Sequence, residues 1–244
     1  MRLLFIRHGE STGNVAGRIA GHSDDGLSLP GWLQSTQLAR WLQDQPWQPS
    51  HIYISPLRRA RETLQALAEP WDWGLSTGDG TGLTSAPLPP CTGQTAQEAT
   101  PALTISADLA EFQAGILTGL TWAEAEIRYS QLCESLMASS DWLPIPEAET
   151  PQAGRDRAQR FIQHLLHQHQ QTEAIWVISH QWILQHLIAS LLGCDRTWQI
   201  PIPNTGLFEF ELDRDRWHQS GMAPWTSDLW QIKRFGDCPH LPRS

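Results

Sequence analysis

The sequence predicts an α/β fold built around a mostly parallel sheet. Short apolar runs typical of buried strands alternate with segments of helical periodicity along the 244 residues. Two of the clearest runs, residues 3–6 and 174–179, are followed by a histidine: His8, directly after Arg7, and His180. Since α/β proteins bind ligands at the carboxyl ends of their strands, the same runs predict a functional site.

The first half of the chain predicts two strands and two helices. Each strand is a short apolar run that stops at a loop, and the first helix has leucine and tryptophan at helical spacing. The second helix is rich in arginine and alanine and ends before Pro70. The predicted strands are residues 3–6 and 52–54, and the predicted helices are residues 31–41 and 57–67.

Residues 70–106 are dense in glycine, threonine, serine and proline. This composition predicts a long surface excursion without a regular element. Loops of that length within a domain are usually lids, binding loops or disordered segments.

The second half continues the alternation. An amphipathic helix precedes the strongest strand signal of the chain, and Gly193 ends the helix after it. The predicted helices are residues 122–136, 155–169 and 182–192, and the predicted strands are residues 174–179, 207–212 and 229–235. Because neither a repeat nor a linker interrupts the pattern, residues 1–244 are expected to form a single domain.

Composition excludes several classes of protein. A net charge of −9 disfavours a nucleic-acid-binding surface. The four cysteines lie far apart in the sequence, which argues against a zinc knuckle and a disulfide scaffold. The first apolar run is too short for a signal peptide, and no run of about twenty apolar residues predicts a membrane span. A soluble cytoplasmic protein with no membrane partner is therefore expected.

The predicted strand ends bring together side chains suited to an anion. Arg7 offers a planar guanidinium that matches phosphate oxygens, and His8 offers a nucleophilic nitrogen. Arg58 and Arg59 lie at the start of the helix after Ser55-Pro56, where free backbone N–H groups already favour negative charge. Together with His180, these groups predict a cage for a tetrahedral oxyanion.

Four motifs in order resemble those of the histidine phosphatase superfamily, which includes the phosphoglycerate mutases. Arg7-His-Gly-Glu-Ser-Thr-Gly-Asn14 resembles its signature, and Ser55-x-Leu-x-Arg-Ala-x-x-Thr63 is similar to its second motif. Asp108-Leu-Ala-Glu111 looks like the segment that carries a proton donor, and Val177-Ile-Ser-His180 looks like that of the second histidine. The resemblance implies a three-layer α/β/α fold, phosphoglycerate mutase-like.

The resemblance also implies a role for each site residue. His8 would attack phosphorus and form a phosphohistidine, while Glu111 would protonate the leaving oxygen. The oxygens that carry the transition-state charge would be held by Arg7, Asn14, Arg59 and His180. Gln181 stands beside His180 where the family usually has a glycine, and it is the remaining candidate for substrate binding. Neither a metal nor another cofactor is implied.

Other basic residues are expected to lie outside the site. Arg58 and Arg61 are expected to be surface charges on their helix. His164, His167 and His169 have spacing that suggests a metal site, but no carboxylate or cysteine lies among them. They are therefore expected to form a solvated helix face.

The segment after Glu111 favours a phosphatase over a mutase. Phosphoglycerate mutases resemble Glu-Arg-x-Tyr-Gly-x-Leu-x-Gly-x-x-Lys there, whereas this chain has Phe112, Ala114 and Trp122 at the arginine, tyrosine and lysine positions. These replacements remove groups that would bind a second anionic part of the substrate.

Charge distribution favours the same conclusion. Residues 62–127 contain nine acidic residues and neither lysine nor arginine. A roof formed by this stretch would repel a bisphosphate, and its aromatic residues, Trp71 and Trp73 among them, could cover an apolar leaving group.

The sequence thus predicts a metal-independent phosphatase that hydrolyses a small phosphorylated metabolite, a monoester with few other negative charges. One alternative is a mutase-like isomerase that holds a carboxylate with Arg18 or Arg128. Another is a catalytically silent sensor of a phosphorylated ligand. A homodimer could form through an exposed sheet edge or the late strands.

Overall fold

In the computed structural model, the protein is described over residues 1–73, 100–194, 196–217 and 227–242. Its centre is a six-stranded sheet in the order β3-β2-β4-β1-β5-β6. The strands are β1 (Arg2–Arg7), β2 (His51–Ile54), β3 (Ala102–Ile105), β4 (Ala174–Ser179), β5 (Leu207–Leu212) and β6 (Trp230–Asp237).

Strand direction places the site. β1 to β4 run parallel to one another, whereas β5 pairs antiparallel with β1 and β6 antiparallel with β5. In register, Arg7 lies opposite Ser179, and Ile54 lies opposite Ile178. The carboxyl ends of β1, β2 and β4 therefore lie side by side at one end of the sheet. This confirms that the two segments in which a strand is followed by a histidine converge, as predicted.

Helices cover both faces of the sheet. They are α1 (Thr12–Val15), α2 (Leu29–Gln43), α3 (Arg58–Ala68), α4 (Trp122–Arg128), α5 (Ser130–Ala138), α6 (Pro151–Gln168) and α7 (Gln181–Leu191). Leu3 and Phe5 of β1 point into a core shared with α6 and α7. Leu4 and Ile6 point into a second core shared with α2 and α3. Successive side chains of one strand thus pack alternately into two cores, one on each face of the sheet. The predicted three-layer α/β/α architecture is confirmed.

Two of the sequence predictions need correction. The excursion predicted over 70–106 contains an edge strand, β3, whose Leu103 is buried between two exposed neighbours. Residues 74–99 lie outside the described residues. The helix predicted over 122–136 is divided into α4 and α5 at Tyr129, where φ is −137° and ψ is 47°.

For two of the aromatic residues of the predicted roof, Trp71 and Trp73, the prediction is also wrong. Trp71 and Trp73 stack with ring centroids 4.6 Å apart, and both contact Trp176 of β4. They pack against the core on the α2 and α3 face. These tryptophans stabilise the domain and do not cover the carboxyl end of the sheet.

Among the helices of the described residues, none is both long and apolar enough to cross a membrane. β6 forms one edge of the sheet, where Ile232 and Phe235 are about half exposed. The homodimer predicted through such an edge stays a prediction.

Candidate active site

The candidate site lies at the carboxyl ends of β1, β2 and β4. His8 follows β1, Ser55 follows β2, and His180 follows β4 and precedes α7. The rings of His8 and His180 are tilted, with centroids 4.9 Å apart, and both residues are buried. Two histidines that are 172 positions apart in the sequence therefore share one site.

Backbone contacts fix the tautomer of His8. Its Nδ1 lies 2.6 Å from the carbonyl oxygen of Gly9, so that Nδ1 must carry the proton and donate it. Burial lowers the pKa of His8 well below 6.5, and the charges of Arg59 and Arg7 lower it further. The ring is therefore neutral, and its Nε2 has a free lone pair, as a nucleophile requires.

Arg59, at the start of α3, is almost fully buried and anchored by three acceptors. Its terminal nitrogens donate to the carbonyls of Gly21 (2.9 Å) and Ser23 (3.1 Å), and its Nε donates to Nδ1 of His180 at 3.2 Å. A guanidinium has five N–H donors, so one remains on each terminal nitrogen. The group is held in place while keeping donors for an anion.

His180 is held as a neutral acceptor. Because its Nδ1 accepts from Arg59, its Nε2 carries the proton and donates to Ser55 Oγ at 2.6 Å. Burial is the main cause that lowers the pKa of His180 well below 6.5, followed by the charge of Arg59. Sequence analysis assigned no role to Ser55, although that residue opens the motif that contains Arg59.

Arg7 has a buried donor without a partner. Its NH1 donates to the carbonyl of Ile202 at 2.5 Å, whereas its buried Nε has no hydrogen-bond acceptor among the described residues. Burial lowers the pKa of Arg7, while Glu111 raises it. Leaving a buried N–H unpaired costs about 1–3 kcal/mol, and a substrate oxygen would supply the missing acceptor.

Asn14 reaches the site through a capping box. Its N–H donates to Ser11 Oγ, and its Oδ1 accepts from the N–H of Ser11 (3.0 Å) and from Nδ2 of Asn204 (3.3 Å). Both of these side-chain contacts use Oδ1. The Nδ2 group of Asn14 is therefore the donor that could contact a phosphate oxygen.

The loop before β5 supports the catalytic strand end, a role that sequence analysis did not assign. Asn204 Nδ2 donates to the carbonyl of His8 at 3.1 Å. The N–H of Thr205, which has a positive φ of 56°, donates to the carbonyls of Arg7 (3.1 Å) and His8 (3.3 Å). A run of polar residues just before a strand was the available signal.

Glu111 caps the helix that follows His180. Its carboxylate accepts from the N–H groups of Phe112 (2.8 Å), Trp182 (3.2 Å) and Ile183 (3.3 Å). Burial lowers the pKa values of Arg7 and Arg59, and the charge of Glu111 opposes that shift at both guanidiniums. The structure therefore brings the predicted proton donor to the same end of the sheet as His8.

Arg157 of α6 anchors the segment that carries Glu111. This buried guanidinium donates to the carbonyls of Asp108 (2.8 Å), Ala110 (2.5 Å) and Glu111 (3.2 Å) and pairs with Glu149 at 2.6 Å. His22 Nε2 donates to the Glu111 carbonyl as well, at 2.7 Å. Sequence analysis missed both residues, because nothing local in the sequence relates them to residues 108–111.

Gln181 is the predicted site residue with the weakest structural support. It is the first residue of α7, and it is exposed. Arg58 is exposed and paired with Glu62 at 2.7 Å, as expected for a surface charge. His169 is 3% exposed, so the predicted solvated face is wrong for that histidine, whereas His164 and His167 are exposed.

Gly9 is required by packing against α2. A Cβ at Gly9 would lie 2.6 Å from the carbonyl oxygen of Gly31 and 2.6 Å from Ser35 Oγ. Its N–H donates to Thr63 Oγ1 at 3.0 Å, which joins the two motifs. The absence of a side chain at residue 9 thus lets the loop after β1 approach α2.

The acidic stretch over residues 62–127 is less negative than its sequence suggests. Asp108 pairs with Arg160 at 3.0 Å, and Glu124 pairs with Arg18 at 2.8 Å. Glu62 pairs with Arg58. Arginines from outside the stretch therefore neutralise part of the predicted roof.

Chemically, the site is suited to an anion and not to a cation. Two buried guanidiniums meet two neutral imidazoles, and one imidazole presents a lone pair. A cleft of about 440 Å³ elsewhere, beside Met1, Trp47, Glu173 and Glu211, contains none of these groups. The chemistry therefore concentrates at the carboxyl end of the sheet.

Comparison with known proteins agrees with this geometry. The sequence profile described as "Histidine phosphatase superfamily (branch 1)" matches residues 3–81 and 83–223. The "Adenosylcobalamin/alpha-ribazole phosphatase" of Salmonella typhi is 28% identical over 219 residues, which are 89% of this chain and 88% of the relative. "Phosphoglycerate mutase-like protein 4" of Arabidopsis thaliana is 25% identical over 98% of this chain and 86% of its own length.

The fold is likewise shared with solved structures. The crystal structure of the alpha-ribazole phosphatase from Shigella flexneri superposes with a TM-score of 0.72 over 98% of this chain and 97% of that chain, at 21% identity. At that level of identity the likeness concerns the fold. Relatives of this chain thus include both phosphatases and mutase-like proteins.

Proposed function

The chain belongs to the histidine phosphatase superfamily, and from that premise we propose that it is a metal-independent phosphatase acting on a small phosphate monoester. The observation that carries the proposal is the state of His8. A neutral ring that donates from Nδ1 to the Gly9 carbonyl keeps its Nε2 lone pair for attack on phosphorus.

In the first step, Nε2 of His8 forms a bond to phosphorus while the bond from phosphorus to the ester oxygen breaks. Glu111 gives its proton to that oxygen, which leaves as an alcohol. Arg7 and Arg59 donate hydrogen bonds to the phosphoryl oxygens, where negative charge is spread in the transition state. Asn14 completes this set of contacts through its Nδ2, and His180 joins it when its Nε2 N–H exchanges Ser55 Oγ for a phosphoryl oxygen.

In the second step, water attacks the phosphohistidine. The new bond joins the water oxygen to phosphorus, the bond from Nε2 to phosphorus breaks, and Glu111 takes the proton from water. The balance is one ester and one water converted to one alcohol and one inorganic phosphate. Guanidinium groups neutralise the phosphoryl charge, so no metal ion takes part.

Hydrolysis is favoured over isomerisation by the residues around the leaving group. Phe112 packs against Trp182, with ring centroids 4.7 Å apart, and Ala114 is buried. Arg18, one of two candidates for holding a second anionic group, donates to Gly119 and Glu124. The other, Arg128, lies over the ring of Tyr129. These contacts favour a substrate with few charges besides its phosphate.

The test is hydrolysis of p-nitrophenyl phosphate by the purified chain, with His8→Ala beside it and His167→Ala as a matched control on an exposed histidine. We expect turnover by the wild type and the control, and at least a thousandfold loss in His8→Ala. Radioactive substrate quenched in alkali should leave label on the protein only when His8 is present. Label that persists in His8→Ala would refute the proposed nucleophile.

Two further arms test the metal and the substrate class. Activity should survive dialysis against EDTA, and loss that Mg²⁺ or Zn²⁺ restores would contradict a metal-independent reaction. In a screen that includes alpha-ribazole phosphate and 3-phosphoglycerate, hydrolysis should exceed interconversion of 2- and 3-phosphoglycerate. Comparable mutase turnover would favour the isomerase alternative, and tight phosphate binding without turnover would favour a sensor.

A further inference from the structure

A second cluster of titratable side chains lies at the opposite end of the sheet. His51 is the first residue of β2, Glu173 immediately precedes β4, and His169 follows the last residue of α6. One potential ligand atom from each lies within 4.8 Å of the other two. Because these residues come together at the amino ends of the parallel strands, the cluster is separate from the phosphate site at their carboxyl ends.

The two imidazoles each lie close to one oxygen of the same carboxylate. His51 Nδ1 lies 3.4 Å from Glu173 Oε1, and His169 Nδ1 lies 3.2 Å from Glu173 Oε2. Zinc bonds of about 2.0–2.1 Å place two tetrahedral ligands about 3.3–3.4 Å apart. Each histidine nitrogen is thus at a ligand-to-ligand distance from one Glu173 oxygen, and a small shift of the carboxylate would let all three side chains share a cation.

Surrounding hydrogen bonds already orient two of the ligands. The Tyr53 hydroxyl lies 2.8 Å from His169 Nε2, and Gln170 N–H donates to Glu173 Oε2 at 2.5 Å. Metal-binding histidines commonly donate their second ring N–H to an oxygen, which fixes the ring and its tautomer. With a metal on Nδ1, His169 would donate from Nε2 to Tyr53 in this way.

The cluster is also accessible. His169 is buried, whereas the side chains of His51 and Glu173 are 31% and 23% exposed. A cation can reach the cluster from solvent, and water can complete the coordination. Two imidazoles and one carboxylate are a donor set that zinc favours, whereas calcium and magnesium favour sites made of oxygen alone.

We propose that His51, His169 and Glu173 form a zinc site that joins β2, the end of α6 and the start of β4. A cation bound there links the start of β2 to the turn between α6 and β4, which lies far along the chain, so its role is structural. The site does not contact the phosphate cage and is independent of the proposed phosphatase activity.

The experiment titrates the tag-free, EDTA-treated full-length chain with Co²⁺ and then Zn²⁺. We expect one Co²⁺ per chain with the absorption of a four-coordinate ion, displaced by one Zn²⁺, and a thermal midpoint that rises with Zn²⁺ concentration. His51→Ala and Glu173→Gln should each lose at least tenfold in Co²⁺ affinity and lose the thermal shift. Tyr53→Phe should weaken binding about tenfold, as expected for a group that orients a ligand.

The matched control is His167→Ala, which removes an exposed histidine near the end of α6, two positions before His169. This variant should bind the metal as the wild type does. Glu173→Gln keeps a carbonyl oxygen for Gln170, and unchanged circular dichroism and p-nitrophenyl phosphate turnover will show that the variants are folded. Failure of the wild type to bind Co²⁺ or Zn²⁺ would overturn the proposal. Equal binding by wild type, His51→Ala and Glu173→Gln would overturn it as well.

Discussion

At the scale of the residue, the chemistry depends on which nitrogen of His8 carries its proton. The Gly9 carbonyl assigns the proton to Nδ1, and burial with two nearby guanidiniums lowers the pKa of the ring. We therefore expect a neutral His8 with its proton on Nδ1 at pH 6, where an ordinary exposed histidine is mostly charged. Long-range ¹H–¹⁵N correlation spectra of ¹⁵N-histidine-labelled protein, assigned with His8→Ala, will measure this.

The exposed His167 is the internal reference in those spectra. The kinetic consequence is that kcat/KM, corrected for the ionisation of the substrate, should show no loss between pH 7 and 6. A proton on Nε2 of His8, or a fall in corrected kcat/KM with an apparent pKa near 6.5, would contradict the assignment.

Arg157 is a positioning residue, because it holds the backbone of residues 108–111 and acts through Glu111. Arg157→Met should lower kcat more for an alkyl phosphate, whose leaving oxygen needs a proton, than for p-nitrophenyl phosphate, whose leaving group departs more readily. We expect Glu111→Gln to show the same selective loss in stronger form. Steady-state kinetics on the two substrates measure it.

Arg160→Met is the matched control, since Arg160 is exposed on the same helix and pairs with Asp108 by a side-chain contact alone. It should leave the ratio of the two kcat values unchanged. An equal fall on both substrates in Arg157→Met would show a general loss of structure and would refute the positioning role.

Sequence could identify the residues whose chemistry is local to a motif. Arg7, His8, Arg59, Glu111 and His180 each stand in a short pattern, and the structure brings all five to one end of the sheet. The supporting groups Ser55 and Asn204 lie in short polar patterns that do not show which atoms they contact, and Arg157 lies in no motif. Asn204, Ser55 and Arg157 act through backbone carbonyls or ring nitrogens of residues distant in sequence, and ordinary polar residues make such contacts throughout any protein.

At the scale of the element, the predictions succeeded where burial imposes a clear pattern of apolar residues on the sequence. β1 and β4 are buried on both faces and read as continuous apolar runs, as central parallel strands do. β3 was missed because an edge strand needs little apolar sequence: only Leu103 of its four residues is buried. The division of the predicted 122–136 helix at Tyr129 was missed because the segment contains neither proline nor glycine, the residues that usually mark a helix end.

The approach of α2 to the catalytic loop gives a prediction at this scale. A Cβ on Gly31 would lie 2.0 Å from the carbonyl oxygen of Glu10, so Gly31→Ala must move either α2 or the loop. We expect a loss of about 1–3 kcal/mol in the free energy of unfolding, together with lower kcat, since overpacking shifts the backbone. Urea unfolding and p-nitrophenyl phosphate assays measure the two effects.

Leu33→Ala, at a mostly exposed position of the same helix, is the control and should change stability by less than about 0.5 kcal/mol. Wild-type stability and turnover in Gly31→Ala would show that the loop and helix adjust freely. In that case the close approach would not be what holds His8 in place.

At the scale of the whole molecule, charge links segments that composition treated separately. Residues 62–127, which contain neither lysine nor arginine, are joined to the rest of the chain in two ways. Arg157 donates to backbone carbonyls of the stretch, and two ion pairs, Arg18–Glu124 and Arg160–Asp108, cross its boundary. The net charge predicted from that stretch therefore overstates what a substrate meets. Sequence gives the number of charges, whereas their partners depend on tertiary structure.

Buried histidines give the whole domain a predictable response to acid. Burial lowers the pKa values of His186 and His240 to about 4, and of His8 and His180 well below 6.5. Above pH 6.5 these rings are neutral in both the folded and the unfolded chain, so they add no pH dependence. As pH falls below 6.5, the unfolded chain takes up protons that the folded chain does not, and the free energy of unfolding falls.

Each such histidine contributes a slope of up to about 1.4 kcal/mol per pH unit between its unfolded and folded pKa values. His186, which contacts Thr197 at 3.2 Å and is 5% exposed, can be replaced to test this. Urea unfolding of His186→Gln from pH 7 to 4.5 should show a shallower loss of stability than the wild type, because one titrating group is gone. His167→Gln, at an exposed position, should follow the wild-type curve, and a wild-type slope in His186→Gln would mean that His186 is protonated in the folded domain.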